Sequence, residues 1–343
     1  MLSPRSETIL KSIVGQYIAR AMPVPSQSII NDYELAVSPA TIRNEMAHLE
    51  QEGYITRPHP SSGSIPSDKG YRYYVETLSD IELPLAEQLL ISHLFHQVEG
   101  ELEEWLSLTA ALTSQLAQNV AIVTIPKPTN CQFKHLELVA LKDSLALVVL
   151  VLHGARLKQQ LITFDQVISQ SELTTMANKL NAAYSDLTRA RILAEKIDLS
   201  PTEQQLTNCL LKIMQAEDEQ EYEKSCLDGL HFTLNQPEFR HGHQVLTLME
   251  LIDCRNLLRT IAPEEIGSQG VRVIIGKENK AEVIQDCSVV IRQYGLPEEA
   301  VGIISVVGPT RMPYARTISA ISYLSSVLSQ LIAELYGRKP SAA

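Results

Sequence analysis

The amino-acid sequence predicts an α+β protein of more than one domain, and three observations carry that prediction. Three helix signals followed by two short strand signals fill the first 78 residues. Strand-like runs then stand both before and after a long helical block, the pattern of a mixed domain interrupted by an insertion. The length, 343 residues, exceeds the roughly 100 to 200 residues of an ordinary domain and leaves room for two or three.

The most informative stretch is Ser38 to Gly53, SPATIRNEMAHLEQEG. Ser38 is placed to cap a helix, and Pro39 sits at the first helical position, where a missing N–H costs nothing. Ile42, Met46 and Leu49 recur at helical spacing as a stripe laid on a core, and Gly53 stops the helix. The opposite face carries Ala40, Thr41, Arg43, Asn44 and His48. Such a face suits a helix whose first turns enter the major groove and read base edges, although a solvated amphipathic helix has the same pattern.

The flanking residues place this helix in a larger arrangement. A first helix is predicted from Ser3 to Ala21, with Ile9, Leu10, Ile13, Val14, Tyr17 and Ile18 on its apolar face; the prolines at Pro23 and Pro25 end it. Ser26 caps a short second helix reaching Asp32, and Leu35 to Val37 turn into the third. After Gly53 come a short strand at Tyr54–Arg57, a turn-rich tip, and a second strand at Ser64–Pro66. Three helices followed by a two-stranded ribbon form a winged helix-turn-helix, which makes 1–78 a DNA-binding domain. In that geometry the amides from Ser26 to Ser28 can hold a phosphate, and Arg57 and Lys69 can hold others. Arg43 can pair with guanine, Asn44 with adenine, and Ala40 or Thr41 can meet a thymine methyl. Arg43 could instead pair with an acid one turn away. His59 could touch DNA or stand in solvent, and Tyr71, Tyr73 and Tyr74 could pack the wing or reach the duplex.

Composition is that of a globular protein. The formal charge is −11, but residues 1–78 hold seven Lys and Arg against eight Asp and Glu, leaving 22 against 32 elsewhere. Nearly all the excess acid lies outside the first domain, so a nucleic-acid partner stays open, with affinity leaning on dimerisation. The N-terminus lacks the apolar core of a signal peptide, and the longest apolar run, Leu145–Leu152, is short of the roughly 20 residues of a membrane helix. A soluble, cytoplasmic protein without membrane contact is expected. Five scattered cysteines without a CxxC pair indicate neither a disulfide framework nor a zinc site.

Ser79–Pro84 reads as a linker. Leu85 to Gln118 is helical, with Trp105 in its core face. Strands follow at Val120–Ile125, Leu136–Leu141, Leu145–Leu152 and Leu157–Phe164. From Ser171 to Glu238 the signal is helical throughout, including an acidic run from Glu217 that reads as a solvated face. A further helix is expected from His243 to Ile261, strands at Val271–Ile275, Ser288–Arg292 and Gly302–Val307, and a last helix from Ala315 to Tyr336. The division is thus 1–78, a linker at 79–84, a mixed domain from 85–170 and 240–343, and an insertion at 171–239.

Chemistry is sparse in the second part. Glu278, Asp286 and Arg311 are available, but no nucleophile has a recognisable setting, and His241 with His243 lacks a further nearby metal ligand. An enzyme is not expected, nor a cofactor or metal. Gly308–Arg311 could form an anion-binding turn or a strand-to-helix turn closed by a structural arginine.

The run SPATIRNEMAHLEQEGYI…PHPSSGSIPSDKGYRYYVETL resembles the N-terminal domain of the heat-inducible transcription repressor HrcA family. VIIGKEN at Val273–Asn279 and VGPTRMPYAR at Val307–Arg316 are similar to its C-terminal wording. The resemblance implies a GAF-like domain interrupted by a dimerising insertion. It further implies a dimeric repressor of chaperone operons that binds the CIRCE inverted repeat, supported by the chaperonin GroEL, and associated with the nucleoid when bound to DNA. A regulator whose GAF-like domain senses a small molecule is the competing expectation. Ser64 stands where the family usually has an arginine, and Pro25 where it usually has a glycine.

Overall fold

A computed structural model of the chain describes residues 2–32, 38–59, 62–78, 81–98, 101–126, 131–153, 156–219, 225–239, 270–280, 282–296 and 300–335. The helix expected from His243 to Ile261 and the turn at Leu35–Val37 lie outside them. The first elements are α1 (Pro4–Arg20), α2 (Ser26–Asp32), α3 (Pro39–Gln51), β1 (Ile55–Thr56), β2 (Ile65–Pro66) and α4 (Asp68–Glu76). Next come α5 (Leu85–Gln97), α6 (Leu102–Ala117), β3 (Val120–Thr124), β4 (Phe133–Lys142), β5 (Leu145–Leu152) and β6 (Arg156–Thr163). They are followed by α7 (Gln170–Tyr184), α8 (Arg189–Ala194), α9 (Pro201–Glu219), β7 (Ser225–Asp228) and α10 (Leu230–Leu234). The last are β8 (Arg272–Ile275), β9 (Cys287–Leu296), β10 (Ala300–Pro309) and α11 (Tyr314–Leu335).

Contacts divide the chain into two units, one of 1–126, 222–296 and 302–343, the other of 127–221 and 297–301. In the first unit, serine caps start three of the four N-terminal helices. The hydroxyls of Ser3, Ser38 and Ser67 accept from the amides of Ser6, Thr41 and Gly70, which satisfies donors that have no partner within the helix. Pro4 and Pro39 follow two of these caps. α3 ends in a Schellman turn: Gly53 adopts φ +77°, and the Tyr54 amide reaches back to the Leu49 carbonyl at 2.9 Å. β1 and β2 pair antiparallel, Ile55 opposite Pro66, and Val24 bridges to Ser64 at the ribbon's base. Gly70 permits this packing, because a Cβ there would lie 2.2 Å from the Tyr54 carbonyl oxygen.

The same unit holds a five-stranded sheet in the order β7-β3-β10-β9-β8, antiparallel at β7–β3, β3–β10 and β9–β8. α6 packs on β3 and β7, α11 on β9, and α6 and α11 on each other. The strands alternate between two apolar faces. Ala121, Val123, Val290, Ile304 and Val306 turn toward the helices, whereas Val120, Ile122, Val289, Ile291, Ile303 and Val307 form a second cluster on the other face. α11 is long and apolar enough to cross a membrane by length and composition. Its Ile321, Leu324, Leu328 and Ile332 are nevertheless fully buried in the first cluster, as in a core helix.

In the second unit, β4, β5 and β6 form an antiparallel meander. Ala146, Val148, Leu150 and Leu152 of β5 face inward against Leu173, Leu180 and Tyr184 of α7 and Leu206 and Leu210 of α9. The alternate residues Leu145, Leu147, Val149 and Val151 are only partly covered.

Three sequence expectations change. The helical run from Leu85 to Gln118 is two helices, since Val98 turns extended at ψ 127°. The block from Ser171 to Glu238 is not helical throughout: it breaks between α7, α8 and α9, and Ser225–Asp228 joins the first unit's sheet beside β3. A strand of four residues is too short to show its period among helices. The division of the units at 127 and 221 follows from the meander packing on α7 and α9. Glu217 is only 6% exposed, salt-bridged to Arg156 and Lys158, so this part of the acidic run is not a solvated face.

Burial dominates the thiol chemistry. It pushes Cys287 up to about 12, with Asp286 adding to the shift, and pushes Cys131 up to about 12, with the Asp218 carboxylate adding. A raised folded value means that the unfolded thiol releases its proton first, so this contribution to stability fades as pH rises above about 9. At pH 8 both thiols should alkylate about a thousandfold more slowly in the native protein than after unfolding. Mass-spectrometric mapping of iodoacetamide adducts checks this, and modification of native Cys287 at the unfolded rate contradicts it.

Candidate nucleic-acid interface

The apolar stripe of α3 is seated where its spacing predicts. Ile42 and Leu49 are fully buried and Met46 nearly so, in one cluster with Ile9, Leu10, Ile13 and Val14 of α1 and Ile29 of α2. A hydrogen bond of 2.7 Å from the Ser6 hydroxyl to Glu45 fixes α1 to α3. The opposite face is open: Ala40, Arg43, Asn44 and His48 are exposed and Thr41 is half-buried, its hydroxyl 3.0 Å from that of Ser38. Arg43 is exposed, and among the described residues its guanidinium is in no ion pair. Five side chains that could meet base edges thus lie in the first three turns of one capped helix.

The other candidates are more engaged. Arg57 pairs with Glu50 at 3.2 Å, across the turn from α3 to β1. The Lys69 ammonium donates to the Glu52 carbonyl at 2.7 Å and lies 4.2 Å from the centre of the Tyr54 ring. It therefore caps the negative end of α3, a structural task the sequence did not reveal. Ser28 donates its hydroxyl to the Pro25 carbonyl at 2.8 Å, and Ser26 is half-buried at the start of α2. His59 is exposed beside the ribbon tip, where Ser62 holds its carbonyl and amide. Ser64 is 1% exposed with an unpaired hydroxyl.

The tyrosines of α4 pack. Tyr71 is buried with its ring 5.8 Å from that of Tyr314, and Tyr73 donates to Glu7 at 3.2 Å and meets Tyr54 edge-on. Burial raises the phenol of Tyr71 well above its ordinary value, and that of Tyr314 likewise.

Of the residues named as available for catalysis, Glu278 and Arg311 have structural partners, and Asp286 is exposed. Arg72 binds Glu278 through two nitrogens, the Nε–Oε1 distance being 2.8 Å, and the carboxylate raises the guanidinium pKa above its ordinary value. Arg311 forms a forked pair with Glu238 and also donates to Gln236 at 3.1 Å and to the Ile18 carbonyl at 3.3 Å. Gly308–Arg311 is therefore a strand-to-helix turn closed by an arginine, the second of the two sequence readings. His241 and His243 lie outside the described residues. Among those described, no cluster of His, Cys, Asp and Glu has the makings of a metal site. Arg72, Glu278, Arg311 and Glu238 were not identified as partners from sequence, because pairs separated by 73 to 206 residues leave no local signal.

Comparison with known proteins bears on this arrangement. A family model described as the HrcA protein C-terminal domain matches residues 103–318. A heat-inducible transcription repressor HrcA of Dehalococcoides mccartyi is 54% identical over 340 residues, 99% of this chain and 99% of its own length. The protein of the same name from Roseiflexus castenholzii is 40% identical over 98% of this chain and 96% of its own. A crystal structure of a hypothetical protein shares the fold at a TM-score of 0.58 and 23% identity, covering 97% of this chain and 98% of that one. Identity this high along the whole length means that the chain belongs to the HrcA family of heat-inducible transcription repressors, a family of regulators and not of enzymes.

Proposed function

We propose that the chain is a cytoplasmic repressor of heat-shock chaperone operons, with α1 to α4 acting as a winged helix-turn-helix. The exposed polar face of α3, held by its buried stripe, is the observation that carries the reading. Ala40, Thr41, Arg43, Asn44 and His48 enter the major groove. Ser26, Ser28, Arg57, His59 and Lys69 lie toward the phosphates, and the engaged state of Arg57 and Lys69 makes their contribution the smaller one. A first segment of nearly balanced charge grips phosphates weakly, so two reading helices on one duplex supply the affinity. This favours a homodimer on an inverted repeat, and family membership supports the CIRCE repeat as that operator. Such a repressor is nucleoid-associated while bound.

The dimer surface in this reading is the outer face of the meander in the second unit, a part that serves as the dimerising insertion. Val139, Leu157 and Leu161 are 40%, 53% and 57% exposed there, beside the half-covered Leu147 and Val149. Register places Val139, Leu147 and Leu161 side by side. An exposed row of large aliphatic side chains is costly in a monomer and suits a self-complementary contact. The five-stranded sheet β7-β3-β10-β9-β8, with α6 and α11 on one face, serves as the GAF-like domain. Heat acts through the fraction of folded repressor: the chaperonin GroEL keeps that fraction high until unfolded clients occupy it.

Three measurements test these parts. Arg43→Ala should weaken operator binding by about 1 to 3 kcal/mol in gel shifts and blur discrimination at one base pair; equal loss on scrambled duplex would make Arg43 a phosphate contact. Leu161→Asp should shift the protein to monomer in analytical ultracentrifugation while its circular dichroism stays unchanged, and a retained dimer would place the interface elsewhere. Adding GroEL with ATP should raise the DNA-binding-competent fraction of heat-treated protein, and no change would remove the chaperonin from the account.

A further inference from the structure

Two stretches singled out by their wording, VIIGKEN and VGPTRMPYAR, are not on the reading face, yet both touch the helices that carry it. Resting on the DNA-binding reading, we propose that the Arg72–Glu278 pair is a positioning contact that locks the reading helix to the sheet and thereby sets the half-site spacing the dimer accepts.

The joint is built from both sides. On α4, Arg72 grips Glu278 through two nitrogens and donates to the Val273 carbonyl on β8 at 2.7 Å. One turn earlier Asp68 accepts the Lys277 amide at 3.0 Å. The receiving turn at 276–278 is shaped for this. Gly276 adopts φ +52°, and a Cβ there would lie 2.4 Å from the Asp68 carboxylate, so the close approach needs glycine. Glu278 also accepts the Ile275 amide at 2.8 Å, and the Asn279 side-chain amide ties the Gly276 and Cys287 carbonyls, at 2.8 and 3.0 Å. The carboxylate is thus held by its own turn before Arg72 arrives, so little rotamer freedom is lost in making the pair.

A planar fork fixes angle as well as distance, which a single lysine contact does not. α4 in turn packs on α1 and β2, and α1 on α3, so a rotation of α4 on the sheet would carry the reading helix with it. Arg311 braces the same group from its far end through the Ile18 carbonyl. In a symmetric dimer the distance between the two reading helices passes through this joint twice. Loosening it widens the range of distances without altering either helix's contacts to its own half-site.

The test uses the full-length protein and gel shifts on CIRCE duplexes whose half-sites are moved apart or together by single base pairs, with a scrambled duplex and a lone half-site as references. Wild type should prefer one spacing by about tenfold or more. Glu278→Gln, which retains an acceptor for the Ile275 amide, and Arg72→Lys should each flatten that preference to about threefold or less while binding the lone half-site as wild type does. Combining them should flatten it no further, since both remove the same contact. Unfolding midpoints and sedimentation establish that each variant is a folded dimer. A variant that keeps the wild-type spacing profile, or loses affinity equally at every spacing and on the lone half-site, overturns the proposal. Failure of wild type to distinguish the operator from the scrambled duplex would instead remove the DNA-binding reading beneath it.

Discussion

Ile42, Met46 and Leu49 lie against α1 and α2, and this apolar seam decides where the polar residues of α3 point. Each such side chain contributes about 1.5 to 3 kcal/mol when fully buried, whereas an exposed ion pair such as Arg57–Glu50 contributes about 1 kcal/mol at most. The rotation of the helix about its axis is therefore set by burial, and surface charge has little say in it. The Ser38 cap and the Gly53 turn fix its two ends, so a rigid helix presents Arg43 and Asn44 with no backbone ordering left to do on contact, and only their side chains remain to be ordered.

The N-terminal helices are not an independent module on a string. Tyr71 packs on Tyr314 of α11, Asp68 and Arg72 engage the turn after β8, and Arg311 reaches the end of α1. These contacts explain why two stretches far apart in sequence carry such particular wording. Gly276 is required by the approach of Asp68, Asn279 by three carbonyls that need one donor group, and Tyr314 by a hydroxyl that meets both the Ser288 side chain and the Thr310 carbonyl.

Much of α3 and its outward polar face was legible in the sequence, because its signals are local. A serine, a proline, three apolar residues at helical spacing and a terminal glycine lie within 16 residues. The strands from Leu145 to Leu152 and at Val120 to Thr124 were legible for a similar reason, being β-branched and apolar runs bounded by breaks. Allocation of strands to units was not legible. β5 is apolar on both faces, LALVVLVL, and a run of that kind does not tell which helices will cover it. Nor were the roles of Lys69 and Arg311, whose carbonyl partners at Glu52 and Ile18 have no side-chain signature at all. Sequence reasoning proposes Lys69 as a phosphate ligand, and its bond to the Glu52 carbonyl is a further role that no local signal announces.

The account turns on whether the outward face of α3 meets the duplex. Photocrosslinking measures this directly: benzoylphenylalanine replaces His48 on that face in one protein and Gln159 on the meander in another, and each is irradiated with labelled CIRCE duplex. Crosslinks from position 48 to bases within a half-site, with none from position 159, are the predicted result. Absence of crosslinks from position 48 under conditions where the duplex is bound would contradict it.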